Sequence, residues 1–208
     1  MKKSKKSMKT IVTYIRDFSI VVAGIAVTLY VNDIVTNQGE KRDLKLYLNT
    51  IIMELEENKK EMNNVLDYLQ PSADYAEYLS SHHRDSLSRD TLKIYEKVFT
   101  AAQVFTFNTN AFEMFKSSGV MRLVEDKELL LLIWNTYSSI NDLKYLLDMS
   151  FDMKREALTD LIALAKQGEK INAPMYDYFT DVNVTQTSLS DCIETLETID
   201  KLIAELSK

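Results

Sequence analysis

The most distinctive pattern along the chain is an uncharged apolar run from Phe18 to Val31. Apart from Asp33, uncharged residues continue to Val35, so a helix over 18–35 would rise about 27 Å. This length is close to the ~30 Å hydrocarbon core of a bilayer. Because no small-x-small cleavage site follows the run, we predict an uncleaved transmembrane anchor at residues 17–36 rather than a cleaved signal peptide. A buried or interfacial helix is the third interpretation.

The basic residues are distributed unevenly around this run. Lys41, Arg42 and Lys45 follow it, whereas six basic residues precede it: Lys2, Lys3, Lys5, Lys6, Lys9 and Arg16. By the positive-inside rule, this bias predicts a basic cytoplasmic tail at residues 1–16 and a domain at residues 40–208 outside the cytoplasm. The expected location is therefore the cytoplasmic (inner) membrane, crossed once by a signal anchor with the N-terminus inside.

A heptad pattern follows the anchor, with apolar spacings that alternate between four and three residues. This seam consists of Leu44, Leu48, Ile51, Leu55, Asn58, Met62, Val65 and Leu69. It is typical of packing within one chain, which we favour, and also of a coiled coil between protomers, in which a seam Asn fixes register. Asn37-Gln38-Gly39 is a candidate kink or helix end, and Pro71 is expected to begin a short helix to about Ser81.

Helical periodicity continues to the end of the chain, and strand-like alternation is nowhere convincing. The expected elements are a loop at 82–90, a helix at 91–105, a short helix at 108–119 ending in a left-handed Gly119, a helix from Asp126 to Ala165, a loop at 170–186 and a helix at 187–206. The last helix is expected to bury Leu189, Ile193, Leu196, Ile199, Ile203 and Leu206. The predicted fold is all-α, with an N-terminal transmembrane helix followed by an elongated bundle of long amphipathic helices.

The helix after Asp126 carries an apolar stripe and an unusually apolar beginning. The stripe is Leu130, Ile133, Tyr137, Ile140, Leu147, Phe151, Leu158 and Leu161. Its first turns are apolar nearly all round, because they also contain Leu129, Leu131, Leu132 and Trp134. Such a beginning should be buried centrally or should contact a partner.

Two blocks of sequence carry a family resemblance. The first is DFSIVVAGIAVTLYVND at 17–33; the second is NTNAFEMFKSSG at 108–119, which ends in Lys116, Ser117, Ser118 and Gly119 and is followed by Leu123-Val124 and Asp126-Lys127-Glu128-Leu129. In this order the blocks resemble the signatures of a family of uncharacterised single-pass membrane proteins from Bacteroidota, a domain of unknown function. The chain departs from that family at Arg16 and Ile34, where Gly and Trp are usual. The resemblance implies a single-pass membrane protein without an assigned activity.

Charge and motif content narrow the candidate functions. Six of the 25 basic residues precede residue 17, so residues 17–208 carry 19 basic and 31 acidic side chains, a net charge of −12 that disfavours nucleic acid as a partner. The single cysteine, Cys192, is expected to be a packed thiol. The two histidines, His82 and His83, are adjacent and do not make a zinc site. We expect no cofactor and no catalytic constellation, and we interpret Ser117-Ser118-Gly119 as a tight turn rather than a serine nucleophile or an anion nest.

One face of the predicted anchor carries small and polar residues. Asp17, Gly24 and Thr28 fall near one side of a helix, where Gly24 and Thr28 permit close approach of a second transmembrane helix. We therefore expect a membrane-anchored interaction or scaffold subunit, with the lipid bilayer and a protein partner or a second copy as its partners. The alternatives are an extracytoplasmic ligand-sensing bundle, whose small-molecule ligand the sequence leaves open, and an enzyme of unknown chemistry.

Overall fold

The computed structural model describes residues 2–81, 103–166 and 182–208. Four α-helices follow in chain order: α1 (Lys2–Ser81), α2 (Asn110–Ser117), α3 (Lys127–Lys166) and α4 (Val182–Leu206), with a 3₁₀ turn at Val120–Leu123 between α2 and α3. These described ranges contain no strand, which confirms the all-α prediction. The chain divides into two compact units, Met1–Leu46 and Tyr47–Lys208.

Helix α1 passes through both places where the sequence suggested an interruption. Asn37-Gln38-Gly39 is helical, and Pro71 lies inside the helix instead of beginning a new one. A proline at this position removes one backbone hydrogen bond. Burial of the flanking Leu69, Ala73 and Tyr75 supplies packing that holds the helix together across this defect.

Three helices form the core of the second unit. The Lys59–Asp200 ion pair and the contact of Cys192 Sγ with the Met62 carbonyl (3.6 Å) set α1 antiparallel to α4. Glu54 bonds Tyr137, and Tyr68 bonds Lys154 further along, so α1 and α3 run parallel. The end of α1 and the beginning of α3 therefore lie at opposite ends of this unit.

The seam on α1 packs inside this unit from Ile51 onward. Its members are 0–4% exposed there: Ile51, Leu55, Asn58, Met62, Val65 and Leu69. Leu44 and Leu48 are half-buried. On α3 the buried residues of the described part are Ile133, Thr136, Tyr137, Ile140, Leu143, Leu147 and Lys154. Thr136 and Leu143 were not part of the predicted stripe, and both are almost fully buried.

The buried face of α4 differs from the predicted one. Ile193, expected inside, is 47% exposed, and the core positions are Ser188, Cys192, Thr195, Ile199 and Leu202. Small polar residues can occupy this face because their hydroxyls find acceptors in their own helix, as Thr195 Oγ1 does with the Asp191 carbonyl at 2.7 Å. The helix also begins at Val182, so the prediction of a loop through residue 186 was wrong.

Several expected elements fall partly or wholly outside the described residues. The loop at 82–90 lies outside them, as do residues 91–102 of the predicted helix at 91–105 and residues 170–181 of the predicted loop. Residues 103–105 are not helical, because 103–109 has no regular secondary structure. The short helix expected at 108–119 is α2, and the left-handed Gly119 (φ 75°) ends it as predicted.

Asp126 caps the N-terminus of α3, as expected. Its carboxylate accepts the backbone N–H groups of Glu128 (2.8 Å) and Leu129 (3.1 Å), two of the donors that a helix N-terminus leaves unsatisfied. The helix extends to Lys166, close to the predicted end at Ala165.

Candidate functional site

Exposed apolar side chains cover all sides of α1 between residues 18 and 35, a stretch named here the apolar segment. Exposed fractions of its large apolar side chains range from 40% at Ile34 to 70% at Phe18. The helix contains an 18-residue window of mean hydropathy 1.9, none of which is buried. By length and composition α1 is thus a candidate membrane span, and among the described residues it is the one helix that qualifies.

Arg16, Asp17 and Thr28 form hydrogen bonds within their own helix. Nε and Nη2 of Arg16 each donate to Asp17 Oδ1 at 3.1 Å. The Thr28 hydroxyl donates to the Gly24 carbonyl at 2.9 Å. Apart from its chain neighbours and the backbone of its own helix, no atom lies within 4 Å of where a Gly24 Cβ would stand. Helical geometry thus places Asp17, Gly24 and Thr28 on one open face, and their hydrogen bonds require no second helix.

A row of polar side chains on α1, Glu54, Asn58 and Glu61, binds the backbone of residues 106–111. The Asn108 N–H donates to Asn58 Oδ1 (2.8 Å), and Asn58 Nδ2 donates to the Asn108 carbonyl (2.7 Å). The Thr106 N–H donates to Glu61 Oε1 at 3.1 Å. Residue numbers increase along α1 from 54 to 61, while those of the backbone partners decrease from 111 to 106. The three side chains, named here the backbone-binding row, therefore hold residues 106–111 antiparallel to α1.

Glu54 lies at one end of the row, and its buried carboxylate links α1, α2 and α3. It is 7% exposed, and its two oxygens accept the Ala111 N–H and the Tyr137 hydroxyl, each at 2.7 Å. Ala111 lies in the first turn of α2, so Glu54 caps that helix from a distance. Burial, aided by the hydrogen bond to Glu54, raises the pKa of Tyr137 far above its ordinary value. Tyr137 therefore acts as a neutral donor to Glu54.

The Lys116–Gly119 motif comprises the last two residues of α2 and the two residues that connect it to the 3₁₀ turn. The Ser117 hydroxyl donates to the Glu113 carbonyl (2.8 Å), and the Ser118 hydroxyl donates to the Phe115 carbonyl (2.9 Å). Both hydroxyls thus serve local backbone bonds, as expected for a tight turn rather than a nucleophile. Lys116 pairs with Glu113 and lies over the rings of Phe112 (5.1 Å) and Trp134 (5.5 Å).

A cleft of about 230 Å³ lies between residues 103–107 and α3. Its lining is Gln103, Val104, Phe105, Phe107, Lys144, Leu147, Asp148 and Phe151. A smaller cavity of about 30 Å³ shares four of these residues and is also lined by Tyr68 and Lys154. Lys154 is 7% exposed, donates to the Tyr68 hydroxyl at 3.0 Å, and has its pKa lowered to about 8 by burial.

The sequence analysis placed Asn58 in the heptad seam, but it singled out neither Lys154 nor the backbone-binding row as a whole. Lys154 lies on the buried side of α3, and a buried lysine in an otherwise apolar stripe is the signal that was available. The row had a weaker signal, because three polar residues at helical spacing are usually a solvated face. Its partners are backbone atoms about fifty residues away in sequence.

The remaining predicted chemistry is simple. The Cys192 thiol is buried, and burial raises its pKa to about 11, so it is a packed thiol. The described residues hold no group of three or more side chains suited to a metal ion.

No protein-family model matches the chain, and no curated protein or solved structure is significantly similar to it.

Proposed function

We propose that the chain is a single-pass membrane protein whose second unit is an interaction or scaffold subunit at the cell envelope. The observation that carries the membrane part is the exposure of eleven large apolar side chains between residues 18 and 35. At about 1.5 kcal/mol or more for each side chain, leaving them in water would cost more than about 15 kcal/mol. A bilayer covers all sides of such a helix at once, whereas one partner helix covers a single stripe.

Membrane integration is tested by alkaline extraction of membranes. The double variant Val22→Arg, Ile25→Arg places two charges in the apolar segment, which costs about 5–7 kcal/mol for insertion. Leu46→Arg, Met53→Arg is the matched control, since those side chains are exposed and apolar but lie outside the segment. Wild type and control should stay in the pellet while the first variant is released. Release of the wild-type protein contradicts the proposal.

The charge bias around the segment supports an N-in orientation, with residues 40–208 outside the cytoplasm. A reporter that is active only in the cytoplasm, fused after Lys208, should therefore be silent. The same fusion behind the double arginine variant should become active. Strong activity of the wild-type fusion would reverse the orientation while leaving membrane integration intact.

The interaction part of the proposal is supported by exposed aromatic and apolar side chains on α3. Leu131, Trp134 and Tyr145 are 62%, 50% and 68% exposed. Aromatic residues are enriched among the residues that dominate protein interfaces. We therefore propose that the apolar beginning of α3, with Leu131 and Trp134, contacts a partner, which is the second of the two outcomes expected from its sequence. Tyr145 extends this contact further along the same helix.

Site-specific photocrosslinking in native membranes tests this contact. A photoreactive residue at 134 or 145 should give a discrete adduct, and one at the exposed position 201 on α4 should not. The adduct mass separates a second copy of the chain from a different protein. Absence of adducts at 131, 134 and 145 would remove the support for an interaction subunit.

A second candidate function is ligand sensing outside the cytoplasm. The cleft between residues 103–107 and α3 favours it, because it offers a space of about 230 Å³ with a largely apolar lining.

A further inference from the structure

Residues 105–108 form an extended segment beside α1. The N–H and the C=O of Asn108 both bind the side-chain amide of Asn58, at 2.8 and 2.7 Å. These two groups therefore point the same way, as they do in a hydrogen-bonded pair of an antiparallel sheet. The N–H of Thr106, two residues earlier, also bonds to α1, through Glu61 at 3.1 Å. Alternate residues thus direct their main-chain groups at one helix, which is the arrangement of a β-strand.

The burial of the side chains alternates with the same period. Phe105 and Phe107 are 9% and 6% exposed, whereas Thr106 and Asn108 are exposed. In an extended chain, successive residues direct their N–H and C=O groups to opposite edges. The main-chain groups of Phe105 and Phe107, named here the open edge, therefore face away from α1.

The open edge has no hydrogen-bond partner in the described part of the chain. Within residues 2–81, 103–166 and 182–208, neither the N–H nor the C=O of Phe105 or Phe107 forms a hydrogen bond. Main-chain N–H and C=O groups pair wherever they can, and an unpaired strand edge is a template for another extended chain.

The 230 Å³ cleft lies along the open edge. Its lining includes Phe105 and Phe107 but neither Thr106 nor any residue of α1. The cleft is therefore on the side of the segment opposite the backbone-binding row. A ligand in the cleft can reach the open edge without disturbing the bonds that hold the segment to α1.

The opposite wall of the cleft belongs to α3. Leu147 and Phe151 make this wall apolar, and Lys144 and Asp148 add one charge of each sign on its exposed side. Charge complementarity thus favours a ligand without net charge. Sites for drug-sized molecules measure about 300–1,000 Å³, so this cleft accommodates about one apolar side chain with the adjoining main chain.

We propose that the cleft binds an extended, uncharged segment of a partner protein, which adds as a strand to the open edge. Its main chain pairs with the N–H and C=O groups of Phe105 and Phe107, and one apolar side chain packs against Leu147 and Phe151. In strand addition, main-chain bonds supply affinity and a side-chain pocket supplies specificity. The inference rests on the site of the second candidate function and names its ligand class. It depends neither on the anchor nor on the contact at the beginning of α3.

Three forms of one peptide test the pairing, by calorimetric titration of full-length protein in lipid nanodiscs with empty nanodiscs subtracted. The parent is acetyl-Thr-Val-Phe-Val-Thr-amide. One analogue is N-methylated at both valines, and the other at the phenylalanine and the second threonine, so each loses two donors of one edge. Because a strand pairs through one edge, the parent should bind saturably, one analogue at least about tenfold more weakly, and the other within about threefold. Equal affinity of all three, or saturable binding of none, overturns the proposal.

Amide hydrogen exchange with residue resolution locates the pairing. Without peptide, the N–H groups of Thr106 and Asn108 should be protected by their bonds to α1, and those of Phe105 and Phe107 should exchange faster. Parent peptide at about ten times its Kd should slow exchange at 105 and 107 about tenfold. Equal protection of all four groups without peptide, or unchanged exchange at 105 and 107 with it, contradicts an open edge that pairs.

Substitutions on α3 assign the peptide to the cleft. Asp148→Trp puts a bulky side chain at the lining and should weaken parent binding at least about tenfold. Asp152→Trp is the matched control, because Asp152 is exposed one turn further along and lies outside the lining; affinity should change less than about twofold. Full affinity in a folded Asp148→Trp variant places the peptide elsewhere and refutes the proposal. Alkaline extraction and photocrosslinking at 134 report separately on the anchor and on the α3 contact.

Discussion

Replacing Asn58 by leucine separates two accounts of the heptad seam. In the structure Asn58 is 1% exposed and exchanges two hydrogen bonds with the backbone of Asn108, at 2.8 and 2.7 Å. In a coiled coil between protomers, a seam Asn lowers stability in exchange for register, so leucine would stabilise the assembly. The two accounts therefore predict opposite signs for Asn58→Leu.

The expected loss follows from the two hydrogen bonds. Each contributes about 1 kcal/mol net, and the stranded backbone groups of Asn108 add a desolvation cost of about 1–2 kcal/mol. Burial of the apolar leucine side chain offsets about 1 kcal/mol of this loss. The free energy of unfolding should therefore fall by about 2 kcal/mol, which corresponds to a decrease in Tm of about 4–8 °C for a domain of this size.

The measurement is urea and thermal unfolding of the fragment 40–208 followed by circular dichroism, with its mass in solution determined in parallel. Asn63→Leu is the control, because Asn63 is on the same helix and exposed. It should change stability by less than about 0.5 kcal/mol. An Asn58→Leu fragment that is as stable as wild type or more stable, and that gains mass, would refute packing within the chain.

Further outcomes follow from other contacts. The fragment 40–208 should melt cooperatively with a helical spectrum, and substantial β-sheet signal would contradict the fold. Glu54→Leu should lower the free energy of unfolding by about 3 kcal/mol in the same assay, because two short bonds to a buried carboxylate are lost, whereas Glu57→Leu on the exposed side should have little effect. Cys192 should resist a thiol reagent at pH 8 in the folded protein and react at once in urea, because burial raises its pKa to about 11; fast reaction without urea would be inconsistent with its burial. Burial lowers the pKa of Lys154 in the folded state from 10.5 to about 8. The buried ammonium therefore destabilises the folded state below about pH 8, and this destabilisation is lost as the pH rises toward 10.5. Wild type should therefore gain stability relative to Lys154→Met, by up to about 3 kcal/mol over that pH range, and a constant difference would exclude a buried ammonium.

The elements with strong apolar periodicity were predictable from sequence. The seam from Ile51 to Leu69, the cap at Asp126 and the turn at Gly119 all follow local rules, and the structure confirms their placement. The continuity of α1 through Pro71 was not predictable in this way, because it depends on packing of the residues around the proline.

The inward face of α4 was missed for a related reason. Hydrophobicity alone points to Ile193, but the core receives Ser188 and Thr195. Burying a hydroxyl that is hydrogen-bonded to its own helix costs little free energy. Ser and Thr side chains are also small, so closely packed helices accommodate them. The cleft between residues 103–107 and α3 was also not predictable, since it depends on where these non-helical residues lie against α3.

The backbone-binding row has a consequence for mutational tolerance. The row contacts residues 106–111 through main-chain atoms, which every residue type other than proline can offer at a donor position. Thr106 and Asn108 also expose their side chains, so many substitutions there leave the contacts intact. Glu54, Asn58 and Glu61 contribute specific side-chain oxygens and have no such freedom. The path of the returning chain is thus encoded mainly in a helix about fifty residues earlier, and a saturation mutagenesis scan should find sensitive positions on α1 facing permissive ones at 106 and 108.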